Sequence, residues 1–450
     1  MVPNEPNRRE FLRRCGVAGG AAALCQPPGR GAAADGSRLP NIVMLISDDQ
    51  GWGDYGFMGH PTIETPNLDR LASQSVTFTR GYVAAPLCCP SLASMITGLH
   101  PHQHKITSND PPYTGDPKER WTKPWTPERR RLRDEMMAHM DTAPALPRLL
   151  AQRGYVSLQT GKWWYGNFRS GGFTEGMTHG DMARGGRHGD EGLKIGRQTM
   201  QPIWDFLDRT GDKPFFVWYA PMLPHQPHNP PERLLSKYKD KTESVHLARY
   251  WAMCEWWDET CGQLLDRLDE KVLSDDTLVL YVCDNGWIQR PNADGFAPRS
   301  KQSWYEGGIR TPLMVRWPGH THPRRDATTL ASSVDLAPTI LAACGLKAAP
   351  EMQGIDLLDA AALARREAVF GASYSHDAAD VNDPAKNLSS RWVVKGWWKL
   401  ILPEPNQPGG KEPELYELKA DPDEKDNLAA GQPDKVQELR ALLDQWYKPA

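Results

Sequence analysis

Two pairs of hard oxygen ligands stand at the ends of short apolar runs. Asn41 to Ile46 leads into Ser47, Asp48 and Asp49, and Thr277 to Cys283 leads into Asp284, Asn285 and Gly286. Carboxylate and amide oxygens are the donors that Ca²⁺ or Mg²⁺ takes. One Asp-Asp pair at a strand end equally fits a turn or a helix cap. Two such pairs in the same setting can converge on one cation, because ligand sites in open α/β sheets lie outside the carboxyl ends of the strands. Between them in sequence comes Cys88-Cys89-Pro90-Ser91-Leu92. Pro90 suits a first helical turn and Gly98 a C-cap, so Cys88 is expected at or just before a helix N-terminus. Free N–H groups and the helix dipole there favour an anion and would lower a thiol pKa. A Cys pair also fits two buried small hydrophobes.

Groups of this kind need parallel strands to present them. Apolar runs at Pro214 to Tyr219, Thr277 to Cys283 and Pro312 to Trp317 join Asn41 to Ile46 as buried strands. Helices are predicted from Thr65 as N-cap with Pro66 first, at Leu146 to Arg153 and at Leu264 to Leu268. Strands alternating with helices predict an α/β protein, a large, mostly parallel sheet sandwiched by helices. Residues 109 to 143 and 167 to 197 read as long surface loops, which in such domains tend to be functional rims or lids. Arg129, Arg130 and Arg131, with Arg133, read as the solvated face of a short helix or as a polyanion contact. From residue 386 the texture changes. Trp392 to Lys399 and Glu414 to Leu418 read as short antiparallel strands, followed by a helix with Val436, Leu439, Leu442, Leu443 and Trp446 on one face.

The whole chain has 450 residues, with 53 Lys and Arg against 56 Asp and Glu, a formal charge of −3. That balance gives no electrostatic case for a nucleic-acid partner, and the 39% hydrophobic content describes a soluble, loop-rich protein rather than a channel. Eight Cys are too dilute for a disulfide scaffold. Arg8-Arg9-Glu10-Phe11-Leu12, the weakly apolar stretch Cys15 to Leu24 and Ala32-Ala33-Ala34 form a twin-arginine export pattern. The apolar stretch is too short for a stable membrane anchor. The expected location is therefore periplasmic or secreted, with no stable membrane insertion. Cleavage after Ala34 leaves Cys88, Cys89, Cys254, Cys261, Cys283 and Cys344, whose pairing the sequence leaves open. The expected organisation is a leader over 1–34, an α/β domain over 35–385 and a small α+β subdomain over 386–450.

Seven segments together resemble the type I sulfatase family. They are Asn41 to Asp49, Thr65 to Arg70, Cys88 to Ser91 with Thr97-Gly98, Gly161-Lys162-Trp163, Pro224-His225-Gln226-Pro227, Asp284-Asn285-Gly286, and Lys301 with Tyr305 to Arg310. Glu414 to Leu418 and Asp421-Pro422 extend the likeness almost to the C-terminus. The resemblance implies an alkaline-phosphatase-like α/β fold and hydrolysis of sulfate esters, here of a sulfated carbohydrate. It implies that Asp48, Asp49, Asp284 and Asn285 hold Ca²⁺, with Mg²⁺ as the other candidate. It implies that Cys88 becomes formylglycine, which makes a formylglycine-generating enzyme a partner. Lys162 and Lys301 match the lysines that hold sulfate oxygens, and His225 a histidine near the leaving oxygen. Cation and ammonium groups suit charge on a transferring group, and a histidine suits protonation of a leaving alkoxide.

Two positions depart from the family pattern. Leu92 stands where Cys-x-Pro-Ser-Arg carries Arg, and Trp164 where Gly-Lys-Trp-His carries His. Exchanging a cation and an imidazole for Leu and Trp predicts a less polar wall on that side of the pocket. Two other readings share these motifs: a non-catalytic relative that binds anionic glycan, and a phosphate ester hydrolase on the same fold.

Overall fold

Asn41–Ser47, Phe215–Ala220 and Thr277–Cys283 are buried along their whole length, as strands covered by helices on both faces must be. The period of two is visible in their partners. Ile42, Met44 and Ile46, with Phe216, Trp218, Leu278 and Leu280, face one apolar core. Val43 and Leu45, with Phe215, Val217, Val279 and Tyr281, face the other. Each such side chain contributes about 1.5–3 kcal/mol on leaving water, and a slip of one residue would exchange the two faces.

The computed structural model describes residues 38–116, 119–120, 125–404 and 412–449. The leader read over 1–34 lies outside them. The strands of the main sheet are β1 (Asn41–Ser47), β2 (Val76–Tyr82), β3 (Val156–Gly161), β4 (Glu175–Gly176), β5 (Phe215–Ala220), β6 (Thr277–Cys283), β7 (Arg310–Arg316), β8 (Arg324–Asp326) and β9 (Ala331–Ser332). Their order is β4-β3-β5-β1-β6-β7-β2-β8, with β9 also on β2. Pairing from β4 through β6 is parallel, and β7 runs antiparallel to both β6 and β2. The sheet is thus mixed and mostly parallel, as expected.

The helices largely follow the capping signals. α1 (Pro66–Ser73) begins after Thr65 with Pro66 first. Its capping acceptor, however, is not the Thr65 hydroxyl, which accepts from the Gly56 N–H at 2.8 Å and donates to Asp69 at 2.9 Å. Asp258, from the helix Val245–Glu270, takes the N–H groups of Asn67 and Leu68 at 3.2 and 2.7 Å. A carboxylate at this end also complements the helix dipole. α2 (Cys88–Thr97) ends at Gly98 in the left-handed region, and its ten residues are all buried.

Three local expectations are corrected. Residues 109–143 are not one loop, because Pro127–Thr142 is a helix whose first turn Thr126 caps through the Arg129 N–H. The arginine run there is not one solvated face. Arg131 is exposed beside Glu128 and Glu135, whereas Arg129 and Arg133, one turn apart, are buried. Trp392 to Lys399 is not one strand, since the chain turns at Gly396, where φ is +56°. β10 (Ala368–Tyr374), β11 (Leu388–Lys395), β12 (Trp398–Pro403) and β13 (Glu414–Glu417) form an antiparallel sheet in that order. It takes its first strand from upstream of residue 386. The helix Pro433–Trp446 covers it with Leu439 and Leu443 fully buried against Val393, Leu400 and Leu415.

All six cysteines from Cys88 onward are buried free thiols. Among the described residues no helix is long and apolar enough to cross a membrane.

The segment 167–197 is tied down rather than loose. The buried Asp190 carboxylate accepts backbone N–H groups of His179, Gly180, Asp181 and Glu191 at 2.7–3.2 Å. Asp190→Ala leaves these donors without their acceptor, at about 1–3 kcal/mol for a buried unsatisfied group. The expected outcome is a lower melting temperature together with faster proteolytic cleavage inside 167–197; an unchanged cleavage rate would show that the carboxylate does not hold the segment.

Candidate active site

The register of β1 on β6 builds the site. Ser47 pairs with Cys283, and the Asp284 N–H donates to the Ser47 carbonyl at 3.0 Å, so the two acidic pairs leave the sheet side by side. Asp49 turns back with φ +61°, a left-handed conformation that Asp tolerates better than most residues. Its N–H donates to Asp284 Oδ1 at 3.1 Å, and Asn285 Nδ2 donates to Asp49 Oδ1 at 2.7 Å. All four residues are buried.

Two lysines enter this acidic floor. Lys162 follows β3 directly, after Gly161 at φ +77°, where a Cβ would lie 1.9 Å from the Ala220 carbonyl oxygen. Only glycine permits that approach of β3 to β5. The Lys162 N–H then donates to the Ala220 carbonyl at 2.7 Å, and its Nζ reaches Asp48 Oδ1 at 2.7 Å. Lys301, from the segment between β6 and β7, places Nζ 2.5 and 2.7 Å from the two Asp49 carboxylate oxygens. Cys88 is the first residue of α2, and its Sγ lies 3.4 Å from Lys162 Nζ, 3.2 Å from Lys301 Nζ and 3.5 Å from Asn285 Oδ1. Cys89 faces away. Its N–H donates to Asn109 Oδ1 at 2.9 Å, and its carbonyl accepts from the Tyr165 hydroxyl at 2.6 Å.

The protonation states follow from burial set against these charges. Burial raises the Asp48 carboxyl well above the usual range against the pull of Lys162, and burial raises that of Asp284 too. Burial disfavours both ammonium groups, yet the carboxylates outweigh it and hold Lys162 and Lys301 above their usual values. The Cys88 thiol departs from the expectation of a lowered pKa. Burial pushes it up to about 12, although Lys162 and Lys301 pull the other way. Desolvation outweighs the helix N-terminus here. His225 presents Nε2 3.4 Å from Asp49 Oδ2, and its Nδ1 is 2.6 Å from the Gln226 carbonyl. Burial, then Lys162 and Lys301, holds this imidazole well below its usual range.

The donor set fits a hard divalent cation. Three buried carboxylates face two ammonium groups, which leaves one negative charge. Asp284 Oδ2 is buried without a hydrogen-bond partner among the described residues, and such an oxygen is costly unless a charge or donor meets it; Asp48 Oδ2 already has Lys162 Nζ at 2.7 Å. Asp48, Asp49, Cys88 and His225 each offer a ligand atom within 4.8 Å of the others.

Asp49, Cys88, Lys162, His225 and Lys301 line a cavity of about 320 Å³, and Asp48, Asp284 and Asn285 are buried beside them. The structure therefore brings together every residue singled out in the sequence: Asp48, Asp49, Asp284 and Asn285 beneath, and Cys88, Lys162, His225 and Lys301 around. It also adds wall residues that no sequence signal marked, namely Asn109, Arg187, His188, Arg290 and His376. Arg187 and His188 lie in the segment 167–197 and Asn109 opens the segment 109–143, the two stretches read as functional rims, which were the available hints. Leu92 is buried in the main apolar core. The Trp164 wall is not the less polar surface expected. Arg187 packs over the Trp164 ring at 4.7 Å and His188 lies 5.2 Å from it.

Comparison with known proteins agrees with this picture. A family model described as Sulfatase matches residues 40–346, and one described as N-sulphoglucosamine sulphohydrolase, C-terminal, matches residues 298–447. An N-acetylgalactosamine-6-sulfatase of Canis lupus familiaris is 31% identical over 370 residues, covering 73% of this chain and 67% of that protein. For the Homo sapiens N-acetylgalactosamine-6-sulfatase the covered share of the relative is 65%, so the chain spans about two thirds of the length of these relatives. A solved structure in complex with its substrate D-glucosamine-2-N,6-O-disulfate superposes with a TM-score of 0.69 at 22% identity, covering 91% of this chain and 97% of that one. That likeness concerns the fold.

A thiol held near pKa 12 is a poor nucleophile at neutral pH. In protein whose Cys88 remains a thiol, native alkylation at pH 8 should be roughly a thousandfold slower than for an unperturbed cysteine. The thiolate fraction grows as pH climbs toward the raised pKa, so the rate should rise throughout that range. Peptide mass spectrometry after timed iodoacetamide treatment checks this, and fast labelling of Cys88 at pH 8 would contradict the burial argument.

Proposed function

The chain belongs to the sulfatase family of sulfuric ester hydrolases, and from that premise we propose that it removes sulfate from a sulfated carbohydrate, using residue 88 as nucleophile above a divalent cation. The observation that carries this reading is the position of the Cys88 side chain, between two lysine ammonium groups and over three carboxylates. The relatives named for N-acetylgalactosamine sulfate support a sulfated hexosamine as the first substrate to test.

Asp48, Asp49, Asp284 and Asn285 would hold Ca²⁺, or Mg²⁺ in the same oxygen set. When bound, the cation supplies Lewis-acid stabilisation of the transferring group, and formylglycine derived from Cys88 supplies a hydroxyl nucleophile. Lys162 and Lys301 then bind sulfate oxygens and stabilise the charge that grows there. Their carboxylate partners fix both ammonium groups before substrate arrives, so little reorganisation accompanies the reaction. His225 faces the leaving oxygen. The arriving sulfate adds negative charge beside it, which offsets the repulsion from Lys162 and Lys301 and lets Nε2 carry the proton it donates. We assign export by the twin-arginine route to the same protein, supported by Arg8 and Arg9 before the apolar stretch.

Parallel assays of sulfate and phosphate esters of one sugar test the reading. Sulfate release should dominate, and Cys88→Ala should lose it by about a thousandfold or more. Undiminished release from Cys88→Ala would overturn the nucleophile, dominant phosphate release would favour a phosphate ester hydrolase, and glycan binding without cleavage would favour a binding protein. Asp284→Ala should lower bound metal and activity together, and full metal content by elemental analysis would remove Asp284 from the ligand set. Replacing Arg8 and Arg9 by Lys should hold the precursor in the cytoplasm, as fractionation would show.

A further inference from the structure

The segment between β4 and β5 carries a group that the function above leaves unused. His188 lines the same cavity as Cys88, Lys162 and His225. Its Nδ1 is buried and has no hydrogen-bond partner among the described residues. Three anchors fix the backbone around it. The His188 carbonyl accepts the Trp163 N–H at 3.0 Å, one residue past Lys162. The Arg187 carbonyl accepts from the buried Arg133 guanidinium. The Arg187 side chain is clamped by Asp110 through two bonds of 2.7 and 2.6 Å. Two residues on, Asp190 ties the remainder of the segment together. An imidazole carried on a backbone held by these contacts, with a ring nitrogen unpaired among the described residues in a reaction cavity, is placed for a ligand or a proton.

Its position relative to Trp164 indicates the task. The chain lacks an imidazole at 164, and His188 packs against that indole from outside the motif, with ring centroids 5.2 Å apart and an interplanar angle of 32°. Lys162 Nζ lies 6.0 Å from the same indole and 3.4 Å from Cys88 Sγ, so His188 stands on the side of the cavity from which Lys162 reaches residue 88. Burial, then Lys162, Arg187 and Arg133, holds it well below its usual range, so it enters as a neutral base. His225 is separately committed beside Asp49.

We propose that His188 is a further catalytic residue, accepting the proton that residue 88 must give up for sulfate to leave. The inference rests on the sulfatase reading above. With residue 88 as a hydrated aldehyde carrying sulfate on one oxygen, the O–H bond of the free hydroxyl breaks and its proton passes to His188. The electron pair left on oxygen becomes the second bond of the carbonyl, and the C–O bond to sulfate breaks with its pair leaving as sulfate. His188 then passes the proton to solvent, and water adds to the carbonyl to restore the hydrate. No oxidant or reductant is required.

The test uses the full chain produced together with a formylglycine-generating enzyme, with conversion of residue 88 first measured by mass spectrometry of the peptide covering 81–100. In His188→Ala, conversion and melting temperature should match the parent, while kcat for sulfate release falls by roughly 10²–10⁴-fold with KM little changed. After denaturing quench in the presence of substrate, that peptide should carry a sulfo group in His188→Ala and not in the parent. Adding Trp164→His to His188→Ala should restore at least about tenfold of the loss, an outcome that a packing role for His188 does not produce. Activity of His188→Ala within about threefold of an active parent overturns this assignment alone. So does a loss that leaves residue 88 unsulfated and that Trp164→His fails to correct. A parent that is converted yet releases no sulfate overturns the sulfatase reading and this one with it.

Discussion

Three carboxylates buried at the ends of two adjacent strands, with only two ammonium groups to meet them, are the constraint on which the rest of the molecule depends. Asp48, Asp49 and Asp284 lie out of water because β1 and β6 are central strands covered on both faces. A buried charge is tolerated when it is paired and its remaining lone pairs are satisfied. Lys162 and Lys301 meet part of that requirement, and Asp284 Oδ2, without a hydrogen-bond partner among the described residues, marks what they leave unmet. The proposed cation would supply the charge that this floor still lacks. The same burial pushes the Cys88 thiol up, so as a thiol it is a weak nucleophile.

The small C-terminal sheet serves this floor from a distance. Lys399 of β12 is fully buried, with Nζ 3.3 Å from Glu306 and 2.7 Å from Glu424. Glu424 Oε2 accepts the Glu306 N–H at 2.6 Å, and Glu306 accepts from the Tyr82 hydroxyl at 3.2 Å. Glu306 opens the turn that leads from Lys301 into β7. A second buried charge cluster thus clamps the segment that carries a lysine of the first. This gives a physical reason for the tail to accompany the α/β sheet, since an unbraced Lys301 would lose its fixed position over Asp49.

The segment 167–197 shows how polarity can be supplied from outside a motif. Read along the chain, Leu92 and Trp164 remove a cation and an imidazole. In the fold, Arg187 and His188 stand over the Trp164 indole, and Arg133, from a run whose spacing looked solvent-facing, braces them from below. The indole became a platform on which the charged groups of another segment rest.

The elements and the floor of the site were legible because their determinants are local. Continuous apolar runs announce strands buried on both faces, and Asp48-Asp49 and Asp284-Asn285 directly follow two of them. Pro66 marks a helix start by its own covalent geometry. What stayed hidden is long-range. The split of Trp392 to Lys399 into two strands depends on a turn at Gly396 and on pairing to β10 and β13. The inward face of Arg129 and Arg133 depends on what their helix packs against, which its own residues do not announce. His188 reaches the cavity because Trp163, Asp110 and Arg133 hold its backbone and Arg187, contacts separated by 25 to 77 positions in the chain. The sequence by itself determined which groups could perform the chemistry; tertiary structure decided which of them meet, because burial, charge pairing and register are properties of the assembled sheet and not of any segment of it.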